Sequence, residues 1–294
     1  MMRVDLILGS NESKKTFQPD DQIVMAIINR TPDSFYDKGS NYGTDAALAS
    51  VEQAITDGAQ IVDIGGVKAG PGDVVDAEEE LRRTASFVAA VRSAHPRVLI
   101  SVDTWRSEVA DAVCSEGADL INDAWGGWDP QLAQVAANHG VGIVCTHTGG
   151  VTPRTRPHRI DYDDVVSDAI EMTTRLAENA LKSGVSKESI IIDPGHDFGK
   201  NTYHSLELTR HLDQMVATGW PVLVSLSNKD FVGETLDRAV DDRLIGTLAT
   251  TSISAWLGAR IYRVHNVAQT RQTLDMVSTI KGTRPPAVAR RGLA

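Results

Sequence analysis

Four polar side chains in this sequence follow apolar runs, at positions where one binding pocket could use them together. Asp103, Asn122 and Asp193 each end such a run, and Lys229 comes shortly after another. An ionised carboxylate can accept two parallel N–H bonds, and the amide and the lysine add further donors and an acceptor. The four groups therefore suit a flat heterocycle that offers both donors and acceptors. The alternative is a structural salt-bridge network, but complementary groups at different strand ends favour a ligand site.

Asn29, Arg263 and His265 form a second group with a different chemistry. Arg263 and His265 are two residues apart, so on a strand they point to the same side. Asn29 lies beside them if the first and last strands are neighbours in a closed sheet. A cationic pair next to an amide oxygen suits a phosphate or diphosphate, with Asn29 able to reach a Mg2+ ion. The alternative is that Arg263 is paired with a carboxylate and that His265 is merely packed.

The elements that must position these residues recur eight times along the chain. Each is an apolar, β-branched run, which predicts a strand, followed by a helical pattern. The runs are Ile23–Asn29, Gln60–Gly66, Val98–Asp103, Asp119–Asn122, Val141–His147, Ser189–Asp193, Trp220–Ser227 and Ala259–His265. Glycine, which adopts the left-handed C-terminal conformation at no steric cost, ends six of the helices: Gly58, Gly117, Gly140, Gly184, Gly219 and Gly258. The pattern predicts an α/β fold, a (β/α)8 TIM barrel with its active site on the C-terminal face.

Nearly the whole chain is assigned to this one domain. Residues 22–282 form the predicted barrel, and residues 1–21 precede it as a short hairpin that covers the barrel floor. The tail, residues 283–294, is predicted to be disordered. Long polar loops with glycine are typical of the substrate face, and here they are Thr31–Gly43, Val67–Asp73 and Thr148–Asp161. The predicted buried face of the seventh helix consists of Leu244, Leu248 and Trp256.

Composition argues against several classes of function. The formal net charge of −10 argues against a general nucleic-acid or membrane-surface binder. The longest apolar run is well short of the roughly 20 residues that a membrane span needs. Cys114 and Cys145 provide no disulfide framework, so we expect a protein of the reducing cytoplasm. Cys145 lies within a predicted strand and is expected to be a buried, inert thiol.

Eight short strings resemble, in order and spacing, those of dihydropteroate synthase, the folate-pathway transferase of the pterin-binding barrel family. They are Met25–Phe35, Asp63–Gly66, Ser101–Thr104, Leu120–Asp123, Ile192–Gly195, Phe198–Lys200, Leu226–Lys229 and Arg263–His265. The resemblance covers roughly residues 22–282. It implies a reaction that joins 6-hydroxymethyl-dihydropterin diphosphate to p-aminobenzoate and releases diphosphate.

The resemblance also implies a role for each predicted site residue. The contacts to the pterin ring correspond to Asp103, Asn122, Asp193 and Lys229. Asn29 corresponds to the ligand of a Mg2+ cofactor, and Arg263 and His265 correspond to the anchors of the diphosphate. Lys229, Arg263 and His265 are the implied catalytic residues, since fixed cations and a metal that stabilise a departing diphosphate help the C–O bond to break. A homodimer formed through helices on one side of the barrel is implied as well.

The loops that would hold p-aminobenzoate depart from the family pattern. Ala69 and Gly70 replace the usual threonine and arginine, and Asn228 replaces an arginine after the seventh strand. Asp230 places a carboxylate where p-aminobenzoate would bring its own negative charge. Each lost charge-assisted hydrogen bond costs about 1.5–3 kcal/mol, and 1.4 kcal/mol is about tenfold in rate. Three such losses and the added repulsion predict turnover that is lower by roughly four orders of magnitude.

Three hypotheses follow from these features. The preferred one is a paralogue that keeps much of the pterin–diphosphate pocket but has little or no synthase activity. The second is a working dihydropteroate synthase with unusual loops. The third is an enzyme or binding protein for another anionic metabolite, attracted by basic loop residues: Arg30, Lys38, Lys68, Arg154, Arg156 and Arg159.

Overall fold

Eight parallel strands form the predicted barrel, behind a short antiparallel hairpin. The computed structural model describes residues 4–30, 40–156 and 160–292. In those residues the strands are β1 (Leu6–Leu8), β2 (Lys15–Phe17), β3 (Ile23–Asn29), β4 (Ile61–Gly65), β5 (Leu99–Asp103), β6 (Leu120–Asp123), β7 (Gly142–Thr146), β8 (Ile190–Asp193), β9 (Leu223–Val224) and β10 (Ile261–Val264). Strands β3 to β8 pair consecutively, and β10 pairs with both β3 and β9. A bridge between Ile192 and Val222 links β8 to the β9 segment.

Helices on the outside of the barrel connect the strands. In the described residues they are α1 (Ser40–Thr56), α2 (Ala77–Ala94), α3 (Ser107–Ser115), α4 (Leu132–His139), α5 (Val165–Ser183), α6 (Thr202–Arg210), α7 (Leu212–Val216), α8 (Asp230–Leu236), α9 (Leu244–Leu257) and α10 (Val267–Ile280). The six glycines predicted at helix ends all have a positive φ, from 65° at Gly140 to 109° at Gly258. Glycine enters this left-handed region without a clash, so the predicted helix ends are confirmed.

The seventh barrel strand is much shorter than predicted. The sequence predicts a strand over Trp220–Ser227, but β9 contains only two residues. Pro221 has no N–H to donate to a ladder, and beyond the strand the backbone turns until Asn228 reaches a left-handed φ of 57°. The segment still belongs to the barrel wall, because Arg260 N donates to Val222 O at 2.9 Å.

The hairpin of β1 and β2 covers the barrel floor, as predicted. Leu6, Leu8 and Phe17 are buried in one cluster with residues from all eight barrel strands, which places the cluster inside the barrel. Those residues are Ile23, Met25, Ile61, Leu99, Leu120, Val144, Ile191, Leu223 and Ile261. The guanidinium of Arg260 holds the hairpin in place by donating to Val4 O at 2.7 Å and to Gln18 O at 2.7 Å.

The buried face of α9 differs from the prediction. Trp256 is 58% exposed, and the buried residues are small: Gly246, Thr247, Thr251, Ser254 and Ala255. A Cβ on Gly246 would lie only 2.6 Å from side-chain atoms of Val232 and Leu236 in α8. The small residues therefore allow α8 and α9 to pack closely, which a face of large apolar residues would prevent.

Three further expectations concern the cysteines, the tail and the membrane. Cys114 and Cys145 are buried and form no disulfide, and burial raises the pKa of both thiols, that of Cys114 to about 12. Residues 283–292 form neither helix nor strand, and the disorder predicted for the tail stays a prediction. Within the described part of the chain, no helix has the length and apolar character needed to cross a membrane.

Candidate functional site

A cavity of about 290 Å³ opens at the carboxyl ends of the barrel strands. Six residues predicted to bind the pterin or its diphosphate line it: Asn29, Asp103, Asn122, Asp193, Arg263 and His265. Ala69 and its neighbour Lys68 add part of the second loop to the wall. The other predicted residues do not line the cavity: Gly70, Asn228, Lys229 and Asp230. The barrel thus brings most of the two predicted groups to one place.

Arg263 is held between two carboxylates, which was the alternative interpretation of this residue. Its Nε donates to Asp63 at 2.6 Å, and its Nη2 donates to Asp103 at 3.0 Å. Asp63 is completely buried and also accepts from Ser101 Oγ at 2.6 Å and from Asn122 Nδ2 at 3.2 Å. Arg263 therefore fixes the acidic residues of the pocket, with less of its charge left for an anionic ligand than predicted.

Asp63 is a site residue that the sequence prediction missed. It lies in the middle of β4, whereas the prediction considered polar residues at strand ends. A usable signal was present, since Ile61 is two residues earlier and side chains on a strand repeat every two residues. Ile61 packs inside the barrel. Asp63 must therefore point inward as well.

Burial raises the pKa of both pocket carboxyl groups. The pKa of Asp103 is raised to about 7, because burial and the neighbouring carboxylates Asp63, Glu80 and Asp123 outweigh the attraction of Arg263. The pKa of Asp193 is raised by burial in spite of Lys229 and of the Gly195 N–H, which donates to it at 2.7 Å. Near neutral pH Asp103 can therefore act as an acceptor or, when protonated, as a donor to a heterocycle.

Lys229 does not line the cavity itself but contacts Phe198, which does. Its ammonium donates to the backbone carbonyl of His196 and lies 4.8 Å from the centre of the Phe198 ring. Burial lowers the pKa of Lys229, although the negative charges of Asp197 and Asp193 act to raise it. Lys229 therefore supports the loop after β8 in this structure, and its predicted contact with a pterin ring stays a prediction.

His265 contributes a neutral imidazole, which corrects the predicted cationic pair. Burial, followed by the charge of Arg263, lowers its pKa to about 4. Ser227 Oγ accepts from the His265 backbone N–H at 3.2 Å and lies 2.9 Å from the ring Nδ1. With the hydroxyl proton assigned to Nδ1, the ring proton lies on Nε2. In this form the neutral His265 ring is a single hydrogen-bond donor.

An aromatic cluster next to the cavity, which reaches its wall through Phe198, was also missed by the sequence prediction. Trp105, Trp125 and Phe198 meet edge to face, with ring centres 6.3 Å and 5.0 Å apart along the series. Val67 packs in the same cluster, and both Val67 and Phe198 line the cavity. The signal for this cluster was the presence of large apolar residues shortly after strand ends. Through Val67, Ala124 and Phe198 it gives the cavity an apolar side next to its polar floor.

The donor set fits a Mg2+ ion that enters with a ligand. Asn29 lines the cavity, and its side chain makes no hydrogen bond with the described residues. Those residues also contain no group of three or more His, Cys, Asp or Glu side chains that could hold a metal. Mg2+ is often bound by one or two protein groups together with phosphate oxygens and waters. Asn29 could supply one such oxygen.

The loops predicted to hold p-aminobenzoate are joined to one another by arginines. Arg154, which has a left-handed φ of 63°, donates to Gly70 O at 3.3 Å and to Asp73 O at 2.6 Å. Arg156 and Arg243 donate to the two carboxylate oxygens of Asp230, at 3.1 and 3.0 Å. We call these contacts of Arg154, Arg156, Asp230 and Arg243 the loop clasp. The repulsion predicted from Asp230 is offset, because two arginines share its charge.

Three of the four described basic residues invoked for another anionic ligand have protein partners instead. Arg154 and Arg156 belong to the loop clasp. Arg30 donates to Gly43 O at 2.9 Å and lies 4.6 Å from the centre of the Phe87 ring, so it packs against α1 and α2. Lys38 and Arg159 lie outside the described residues. Among the described members of that set, Lys68 alone lines the cavity.

Comparison with known proteins agrees with this geometry. The chain matches the family of pterin binding enzymes over residues 25–265. Haemophilus influenzae dihydropteroate synthase is 38% identical to it, over 86% of this chain and 92% of its own length. The chain belongs to the dihydropteroate synthase family. A Mycobacterium leprae protein named inactive dihydropteroate synthase 2 is 55% identical, over 94% of this chain and 96% of its own length.

The fold is also that of the dihydropteroate synthase family. A solved structure of Xanthomonas albilineans dihydropteroate synthase with 4-aminobenzoic acid superposes with a TM-score of 0.85 at 33% identity. The match covers 97% of this chain and 100% of the other. The predicted family and the predicted TIM barrel are both confirmed.

Proposed function

We propose that this protein binds 6-hydroxymethyl-dihydropterin diphosphate and has little or no dihydropteroate synthase activity. The observation that carries the proposal is a contrast between two sides of one cleft. On the pterin side, carboxyl groups, an amide and an arginine stand around one cavity. On the p-aminobenzoate side, Ala69 and Gly70 leave the second loop without the family's threonine and arginine, and the loop clasp ties the neighbouring loops together.

The pocket floor offers acceptors to the N–H groups of a pterin ring. Asn122 already donates its Nδ2 to Asp63, which leaves its oxygen as the acceptor. Asp193 uses Oδ1 for the Gly195 N–H, so Oδ2 is the oxygen available to a ligand. Asp103 is held in position by Arg263. Because their protein partners already orient these groups, a ring can bind with little rearrangement.

The second substrate meets a weaker site in this proposal. Ala69 has no hydroxyl group, and Gly70 has no side chain to carry a charge. Arg156 is the nearest replacement cation, with Nη2 lying 3.6 Å from the position a Cβ on Gly70 would take. It is already paired with Asp230, so a substrate carboxylate must compete for it. Exposed ion pairs contribute about 0–1 kcal/mol, so the missing side chains contribute more to the loss than the competition does.

Mg2+, Arg263 of β10 and His265, which follows β10, would hold the diphosphate. When bound, Mg2+ would neutralise part of the charge that builds on a leaving diphosphate. Asn29 would give it one oxygen. Arg263 has Nη1 left over from its carboxylate contacts, and the ring proton assigned to His265 Nε2 is available to a phosphate oxygen. These contacts bind and orient the diphosphate even where transfer to an amine does not follow.

Homodimer formation and a cytoplasmic location are further parts of this proposal. Five apolar residues of α9 and α10 are more than half exposed: Ile245, Ile253, Trp256, Met276 and Ile280. Exposed apolar residues on two helices that pack side by side are typical of interfaces with other protein surfaces. The reducing cytoplasm is supported by two cysteines that are buried and unpaired.

An assay with purified protein, Mg2+ and both substrates tests the main proposal. We expect dihydropteroate to form at least about a thousandfold more slowly than with an active synthase in the same assay, given the lost contacts. We also expect the pterin diphosphate to raise the melting temperature, because it binds the folded state.

Two outcomes would favour the other hypotheses. Turnover at the rate of the active synthase, or growth rescue of a strain that lacks its own synthase, would establish a working enzyme. A rise in melting temperature with unrelated phosphorylated metabolites, but not with the pterin diphosphate, would favour a different anionic ligand.

A further inference from the structure

Lys68 is a cation on the cavity wall to which the proposed function assigns no contact. It is exposed and lies between Val67, which is buried, and Ala69, which is exposed, and both neighbours line the same cavity. No hydrogen bond or ion pair joins its ammonium to any described residue. An exposed lysine retains its charge and three donors on a flexible stem. Lys68 can therefore contact a negatively charged group of a ligand at the mouth of the cavity.

The other basic groups in or beside the cavity are already engaged or uncharged. The guanidinium of Arg263 is paired with Asp103 and with Asp63, which is completely buried. The ammonium of Lys229 donates to the backbone carbonyl of His196. His265 is uncharged at neutral pH. Asp193 adds another carboxyl group to the floor. The floor thus has little positive charge to offer a diphosphate.

We propose that Lys68 binds the diphosphate of the ligand and makes the pocket prefer a phosphorylated pterin over the free alcohol. The inference rests on the proposed function, since it places the ring against the carboxyl groups and the diphosphate toward the mouth. The second loop would then have exchanged contacts with the second substrate for a contact with the anion of the first. Lys68 is a specificity-determining residue in this account, because it touches the diphosphate and takes no part in bond breaking.

Calorimetry with two ligands and two variants tests the proposal. The ligands are 6-hydroxymethyl-dihydropterin diphosphate and the corresponding alcohol, each titrated in buffer with Mg2+. Lys68→Met removes the charge and keeps the aliphatic stem, and Lys182→Met removes an exposed lysine of α5 as the control. We expect Lys68→Met to weaken diphosphate binding by about tenfold or more and to leave alcohol binding unchanged. The loss should shrink at high salt, because salt screens exposed charges.

The outcomes separate this inference from the proposed function. If Lys68→Met binds the diphosphate within about twofold of the unmodified protein, or loses alcohol binding equally, the role of Lys68 is wrong and pterin binding stands. If neither ligand binds the unmodified protein, the proposed function fails, and the role of Lys68 fails with it.

Discussion

At the scale of single residues, Arg263 is the key to the site. An arginine at a strand end beside His265 predicts a residue that binds an anion, but in the structure its guanidinium is paired with Asp63 and Asp103. The sequence could place Arg263 in the pocket because strand ends are readable from the apolar runs. It could not give the partner, because the partner lies inside another strand. Charge pairing across a barrel depends on strand register, which no local pattern specifies.

Removing the buried partner of Arg263 should destabilise the protein. Asp63→Asn keeps the shape of the side chain but leaves the guanidinium with one carboxylate fewer. Breaking a buried ion pair by removing one partner typically costs 3–5 kcal/mol. We expect the free energy of unfolding, measured by urea denaturation, to fall by about 3 kcal/mol. Asp213→Asn, at an exposed position of α7, is the control and should change little. Equal stabilities of the two variants would contradict the buried role of Asp63.

His147 predicts a pH dependence of stability. Its side chain is fully buried, and burial lowers its pKa to about 4 from an ordinary value near 6.5, although Nε2 lies 2.6 Å from Asp168. Between those pH values the unfolded chain binds a proton that the folded chain does not, so stability falls as the pH falls. The contribution is fully present above about pH 6.5 and is lost toward pH 4.

Comparison with His147→Gln isolates this effect. Asp103 has the opposite sign, because its raised pKa makes stability fall as the pH rises, but it contributes equally to both proteins and cancels. Between pH 7.5 and pH 4 we expect the unmodified protein to lose about 3 kcal/mol more than the variant. Urea denaturation at a series of pH values measures the difference. Parallel stability curves for the two proteins would show that His147 takes up its proton normally.

At the scale of elements, the repeating strands and helix ends could be predicted from the sequence, whereas close contacts between helices could not. β3 begins and ends where the sequence predicts, and the glycine helix ends all appear. β9 is shorter than predicted because Pro221 cannot donate to the ladder at the start of the run and because the backbone turns after Val224. The face of α9 was predicted wrongly because its neighbour α8 approaches at Gly246. A close helix contact selects small residues, which a hydrophobic periodicity cannot detect.

The N-terminal hairpin should contribute to stability without affecting ligand binding. Leu6 is fully buried in the barrel interior, whereas Ile7 of the same strand faces the other way and is only partly buried. We expect Leu6→Ala to lower the free energy of unfolding by about 3 kcal/mol, since it leaves a cavity in a packed core. Ile7→Ala should lower it by clearly less. Affinity for the pterin diphosphate should be the same in both variants, because the hairpin lies at the opposite end of the barrel. Equal losses of stability would argue against a packed floor.

At the scale of the whole molecule, the barrel presents an apolar surface on α9 and α10. No sequence pattern provides an independent basis for a dimer, because exposed and buried apolar residues look alike until the packing of α8 against α9 is known. The structure identifies which residues are left exposed. Trp256 and Ile253, three residues apart on α9, lie on one face and are both more than half exposed.

A charge placed on this surface should prevent self-association. We expect the unmodified protein to have the mass of a dimer by size exclusion with light scattering, and Trp256→Glu combined with Ile253→Glu to have the mass of a monomer. A buried, unpaired carboxylate in an apolar interface is strongly unfavourable. Val74→Glu, at another highly exposed apolar residue, is the matched control and should leave the mass unchanged. A monomeric mass for the unmodified protein would overturn the proposed dimer.

The most direct test of the whole account is a sequential titration on one sample of protein. The pterin diphosphate is titrated first with Mg2+ present, and 4-aminobenzoate is then titrated into the saturated complex. We expect saturable binding in the first step and no measurable binding in the second. The pterin side of the cleft keeps the polar groups that bind the ring, whereas the 4-aminobenzoate side has lost the threonine and arginine of the family. Tight binding of 4-aminobenzoate in the second step, or none of the pterin diphosphate in the first, would contradict the account.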